Sequence, residues 1–99
     1  MECTVRWVGP QAGMSFIGES GTNHAVLMDG APEAGGRNLG PRPMEMVLIG
    51  TGGCTAFDVV MILQKGRQAV SDCVVKLSAT RAETDPKVFT SIHFHFVVS

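Results

Sequence analysis

At 99 residues the chain is the size of one small domain, and one hydrophobic core is expected to carry it. Eight Lys and Arg against nine Asp and Glu leave a formal charge of -1, which excludes the positive footprint that binding a phosphate backbone demands, so nucleic acid is not an expected partner. Three cysteines, Cys3, Cys54 and Cys73, with no pair at C-x-x-C spacing, signal neither a disulfide framework nor a zinc site, and reduced thiols are expected.

The first residues, Met1-Glu2-Cys3-Thr4-Val5-Arg6-Trp7, show no basic region followed by an apolar run and a small-residue cleavage site. No stretch reads as long enough to span a bilayer, so the expectation is a cytoplasmic protein with no membrane partner. Cys3, Val5 and Trp7 alternate with Glu2, Thr4 and Arg6, the period of a half-buried strand, and Gly9-Pro10 ends it. Met14-Ser15-Phe16-Ile17 predicts a second strand before the turn Glu19-Ser20-Gly21-Thr22-Asn23, and residues 24–28 a third, closed by Asp29-Gly30. Residues 30–43 have loop composition, with Gly35-Gly36 and Gly40-Pro41-Arg42-Pro43, and a loop of this length is expected to be mobile or functional.

Pro43 suits the first turn of a helix, and residues 44–63 are apolar almost all round, so the helix they form must be buried. Lys65-Gly66-Arg67 closes it with cations and a glycine. Gly50, Gly52 and Gly53 interrupt the run, each at a cost of up to about 1 kcal/mol in a helix interior. Either another segment packs closely there, or the helix breaks and restarts just before Cys54. Cys73, Val75, Leu77 and Ala79 then share one strand face, Asp85-Pro86-Lys87 turns the chain, and Ile92, Phe94, Phe96 and Val98 alternate with His93, His95 and Val97. A hairpin with one apolar face follows, and the fold class is α+β.

Among the thiols, Cys73 shares its face with Val75 and Leu77, and Cys3 with Val5 and Trp7, so both read as buried and unreactive. Cys54, on its apolar neighbours alone, reads as inert too, and a reactive role would need its thiolate stabilised. A thiol attacks as its anion, and an ordinary cysteine pKa of about 8.5 leaves only a few per cent ionised at neutral pH. If the glycines break the helix, Cys54 stands at a new N-terminus, whose free N–H groups and dipole favour negative charge. Asp58, one turn later on the same face, pushes the other way unless a cation neutralises it. The bland alternative is an inert cysteine between apolar neighbours. His93 and His95 have a spacing that supplies two metal ligands, but no third is evident, and a solvated or partner-facing strand surface is the expectation. Gly35-Gly36 lacks the strand-loop-helix lysine pattern of a phosphate loop. No metal and no cofactor are expected.

The stretch Gly40-Pro41-Arg42-Pro43-Met44-Glu45-Met46-Val47-Leu48-Ile49-Gly50-Thr51-Gly52-Gly53-Cys54-Thr55-Ala56-Phe57-Asp58-Val59-Val60 resembles the central helix of the osmotically inducible protein C and organic hydroperoxide resistance (OsmC/Ohr) family. The likeness runs on through D-V-V-x-I-L-Q-K-G-R at Asp58 to Arg67, forward through Val75-Lys76-Leu77 to Phe89-Thr90-Ser91-Ile92, and back to Val5-Arg6-Trp7. The pattern is closer to the uncharacterised OsmC-like branch than to the established peroxidases. The peroxidases carry a glutamate directly after the helix-opening proline, where this chain has Met44, with the acid one residue later at Glu45. On a continuous helix Met44 lies about 80° from Cys54, and Glu45 about 180° away. The family's active-site arginine matches no residue between Ser15 and Met28; Arg37 and Arg42 are the nearest.

The resemblance implies an intertwined homodimer and a thiol peroxidase that reduces a small organic hydroperoxide, in which Cys54 is the peroxidatic cysteine and a thiol reductant restores it. By the same resemblance, residues 1–99 form a single OsmC-like domain lacking the family's C-terminal helix and final strand, where the resolving cysteine would fall. Cys54 and Glu45 are the candidate catalytic residues. Met44, Val47, Phe57 and Met61 are expected to wall an apolar substrate pocket. The alternatives are a non-catalytic dimeric domain that binds a small apolar ligand with Cys54 only structural, and a metal-binding module using the histidines.

Overall fold

Alternation in the first third of the chain produces the expected meander. The computed structural model describes all residues, Met1–Ser99, whose internal contacts divide between two units, Met1–Val47 and Leu48–Ser99. In the first unit, strands β1 (Cys3–Trp7), β2 (Phe16–Ser20) and β3 (Ala25–Met28) form an antiparallel sheet in that order. Trp7 pairs with Phe16, and its indole N–H donates to the Gly13 carbonyl at 2.8 Å, closing the connection from β1 to β2.

Strand β2 begins two residues later than 14–17 and takes in Gly18, Glu19 and Ser20, which local composition assigns largely to a turn. The reason is its central place: Glu19 pairs with Thr4 on one side and Ala25 on the other, and its Oε1 accepts from Arg6 Nε at 3.1 Å. Pairing on both edges outweighs a weak strand propensity. The turn shrinks to Gly21-Thr22-Asn23, with Asn23 left-handed at φ 67°.

Past β3 the loop folds back on itself. The Gly36 N–H donates to Ala31 O at 3.0 Å, Asn38 N–H to Gly30 O at 3.3 Å, and Asp29 N–H to Pro41 O at 3.0 Å. Gly36 has to be glycine because a Cβ there would collide with the Gly30 carbonyl. At the centre lies Asp29, fully buried at 0% exposure. Its carboxylate accepts from the backbone N–H of Gly30 (2.7 Å), Arg37 (3.4 Å) and Leu39 (3.2 Å) and from the Ser15 hydroxyl (3.1 Å). Burial pushes this carboxyl's pKa up, but the hydrogen bonds from Gly30, Leu39, Arg37 and Ser15 together prevail and hold it below its ordinary value.

Helix α1 (Pro43–Lys65) runs on through the three glycines without a break. Arg42 opens it: its carbonyl accepts from Met46 N–H at 3.0 Å, and Glu45 Oε1 accepts from the Arg42 backbone N–H at 2.9 Å. This is the reach-back of a capping-box glutamate. The helix ends with Gln68 N–H on Leu63 O at 2.9 Å and Arg67 N–H on Gln64 O at 3.0 Å, a Schellman closure. The left-handed residue of that closure is Arg67, at φ 61°, and not Gly66.

In the second unit, β4 (Cys73–Arg81) and β5 (Phe89–Val98) form the hairpin. Leu77 pairs with Phe94 and Val75 with Phe96 on its apolar side, and the Phe94 and Phe96 rings stack at 6.3 Å. Lys76 pairs with His95 and Ser78 with His93 on the other. Gly52, the one buried residue of α1, lies against Leu77: a Cβ on it would sit 2.6 Å from Leu77 Cδ1.

Two expectations need correction. No apolar side chain is fully buried, so a hydrophobic core in the ordinary sense is not formed within the chain, and the apolar strand faces of the hairpin are covered only in part. Helix α1, at 23 residues, is also long and apolar enough to cross a membrane, because one acidic residue, Asp58, is the only charge between Glu45 and Lys65. A carboxylate at mid-span costs roughly 2.5–3.5 kcal/mol in a bilayer. Gly52 against Leu77 is where the helix meets the hairpin.

Candidate functional site

Cys54 lies in the middle of α1 and is exposed. Because the helix is continuous, no free helix N-terminus stands beside it, which removes the dipole stabilisation that a break at the glycines would supply. The glycine alternative that holds is close packing, and it holds at Gly52 alone; a Cβ at Gly50 or Gly53 would meet no atom within 4 Å.

The helical period then fixes which way the thiol points. Ile49, Gly52 and Ala56 share a groove with Val75 and Leu77, so that side of α1 faces β4. Cys54 is about 200° round the helix from Gly52 and projects away from the hairpin. It lines a groove of about 380 Å³ with Gly53, Phe57 and Asp58. A second groove, of about 390 Å³, is lined by Phe57, Val60, Met61 and Cys73 among others, and is mainly apolar. Phe57 and Gly53 border both. Cys73 is half-buried on the β4 side and lines no groove with Cys54, which fits an unreactive thiol. Cys3, expected to be buried, is exposed, because nothing covers that face of β1.

The other sequence candidates are placed as follows. Phe57 and Met61 meet in the larger groove, whereas Met44 and Val47 occupy the first turns of α1 and line neither groove. Glu45 is engaged at the helix start, with Oε1 2.9 Å from Arg42 N and 3.5 Å from Arg42 Nη1. The Arg42 backbone hydrogen bond, with its guanidinium adding to it, holds the Glu45 carboxyl below its ordinary range. Arg37 contributes its backbone N–H to Asp29. Sequence reasoning missed Asp29 as the organiser of the loop; its only local signal is the Asp29-Gly30 pair, which reads as a turn.

Comparison with known proteins agrees with this architecture. A family model described as OsmC-like protein matches residues 35–99. Protein YhfA of Escherichia coli (strain K12) is 52% identical over 99 residues, spanning 100% of this chain and 69% of the relative, and YhfA of Shigella flexneri matches to the same extent. A solved structure described only as structural genomics has a TM-score of 0.81 at 49% identity, covering 99% of this chain and 67% of that one. A hypothetical protein from Aquifex aeolicus VF5 has a TM-score of 0.76 at 28% identity, covering 98% and 64%. With its meander, long central helix and following hairpin all matched, this chain belongs to the OsmC-like family.

Proposed function

We propose that the protein is a homodimeric thiol peroxidase that reduces small organic hydroperoxides through Cys54. Membership of the OsmC-like family and an exposed cysteine in the central helix support a redox-associated role. The observation that carries the finer reading is the exposure of Cys54 beside apolar grooves bordered by Phe57 and Met61. An oily wall suits the organic half of an alkyl or aryl hydroperoxide.

In the proposed step the Cys54 thiolate attacks the terminal peroxide oxygen. An S–O bond forms, the O–O bond breaks, and the organic half leaves as an alkoxide that takes a proton to become the alcohol. Cys54 is oxidised to a sulfenic acid and the hydroperoxide is reduced. An external thiol then condenses with the sulfenic acid, releasing water, and a second thiol frees Cys54 as the disulfide of the reductant departs. Cys73 has no part in this cycle: it is half-buried and shares no groove with Cys54. Glu45 serves by fixing the first turn of α1.

A second reading has one observation in its favour: the larger groove excludes Cys54, so an apolar ligand held there would not need the thiol. Dimedone trapping separates the two. After cumene hydroperoxide, peptide mapping is expected to find dimedone on Cys54, and a Cys54→Ser protein should show none at that position. Labelling confined to the exposed Cys3 would refute the peroxidase reading and leave the binding module.

A further inference from the structure

We propose that Asp58 makes Cys54 selective for uncharged and cationic electrophiles and turns anionic ones away. This rests on Cys54 being the reacting thiol, as above. The two residues are four apart on an unbroken helix, which places their side chains about 5–6 Å apart at Cβ on one face. They line the same groove with Gly53 and Phe57, and of these four only Asp58 carries a charge. The ion pairs of the chain are Arg6 with Glu19 and Arg42 with Glu45, so no salt bridge neutralises Asp58. Lys65, nearest in sequence, is two turns further on, about 10 Å along the axis and one Debye length away at ordinary salt. The formal charge of the whole chain is only -1, so the field at the sulfur is set locally.

A reactant must come within bonding distance of the sulfur, and therefore within a few ångströms of this carboxylate. An alkyl or aryl hydroperoxide feels no charge penalty there. A deprotonated peracid, negative beside its O–O bond, is repelled. The substrate class of the site is thereby narrowed to hydroperoxides without negative charge near the reacting oxygens.

Disulfide probes of matched chemistry and different charge test this on the full chain: dianionic dithiobis(nitrobenzoate), neutral dithiodipyridine and cationic cystamine. In each case the Cys54 sulfur forms a mixed disulfide with one half of the probe, the probe's S–S bond breaks, and the other half leaves reduced as a thiol or thione. Mass spectrometry of the Cys54 peptide gives the rate at that residue. In low salt, Asp58→Asn is expected to raise the dianion-to-neutral rate ratio about three- to tenfold and to lower the cystamine-to-neutral ratio. Using ratios removes any change in thiolate fraction, which scales all probes alike. In the unsubstituted protein, raising salt to about 0.5 M should lift the dianion-to-neutral ratio in the same direction, a result that does not depend on the variant folding.

Ratios indifferent to both salt and substitution overturn the charge selection and leave the peroxidase reading intact. Charge selection without sulfenic acid trapping overturns the peroxidase reading alone. A Cys54 that ignores all three probes overturns both.

Discussion

A carboxylate taken wholly out of water is costly unless each oxygen is served by donors. Asp29 meets that condition with two donors on each oxygen, three of them backbone N–H groups and one the Ser15 hydroxyl. Its pKa lies below the ordinary 3.8, which sets the sign of its pH dependence. The stabilisation is present in full above about pH 3.8 and is lost as pH falls further, through the lower folded value. Asp29→Asn replaces one accepting oxygen by a donor facing donors, so the Tm at neutral pH is expected to drop by several degrees. The gap from the unsubstituted protein should close as the pH is taken below 3.8, and thermal melts across that range would show it. A gap independent of pH would mean that the anion is not what holds the loop. None of this was legible beforehand: the donors at residues 37 and 39 reach Asp29 only after the loop folds back, and composition alone reads the segment as a loop, mobile or functional.

At the scale of elements, the punctuation of α1 was readable, since Pro43 and Lys65 mark its ends by local chemistry alone. The strand limits of β2 were not, because its pairing on both edges is non-local. The orientation of Cys54 was hidden for a related reason. A helix that is apolar all round has no periodic signal to say which side the hairpin takes, and the side is settled by Gly52 fitting against Leu77. Gly52→Ala is expected to gain up to about 1 kcal/mol of helix propensity and to lose roughly 1–3 kcal/mol by crowding Leu77. The net should be destabilising in urea unfolding. In a Leu77→Ala background the crowding is gone, and the same Gly52→Ala change should become stabilising by up to about 1 kcal/mol. The same effect in both backgrounds would show that this contact does not orient the helix, and the outward direction of Cys54 would fall with it.

The whole molecule poses the question that the sequence answered least well, because a count of apolar residues does not say whether one chain buries them. Ordering a chain of this size costs on the order of 100 kcal/mol in conformational entropy, and burial of apolar side chains is the main force against it. Here none is fully buried, while Phe57 is 64% exposed, Ile62 68% and Ile49 58%, all on the central helix. Covering a side chain of this kind is worth roughly 1.5–3 kcal/mol, so several together can offset the cost of bringing two chains into one particle. The homodimer is the expected state, as the proposed function requires. Sedimentation should show it at micromolar concentration, and the Tm should rise with protein concentration, since only the folded form associates. Ile62→Glu places a charge at an exposed apolar position one turn beyond Asp58 on the same helix, and it is expected to lower the Tm and shift sedimentation toward monomer. An unsubstituted chain that stays monomeric, with a Tm independent of concentration, would mean that partly covered sheets suffice to fold it, and the site would then have to work with Cys54 open to water on every outward side.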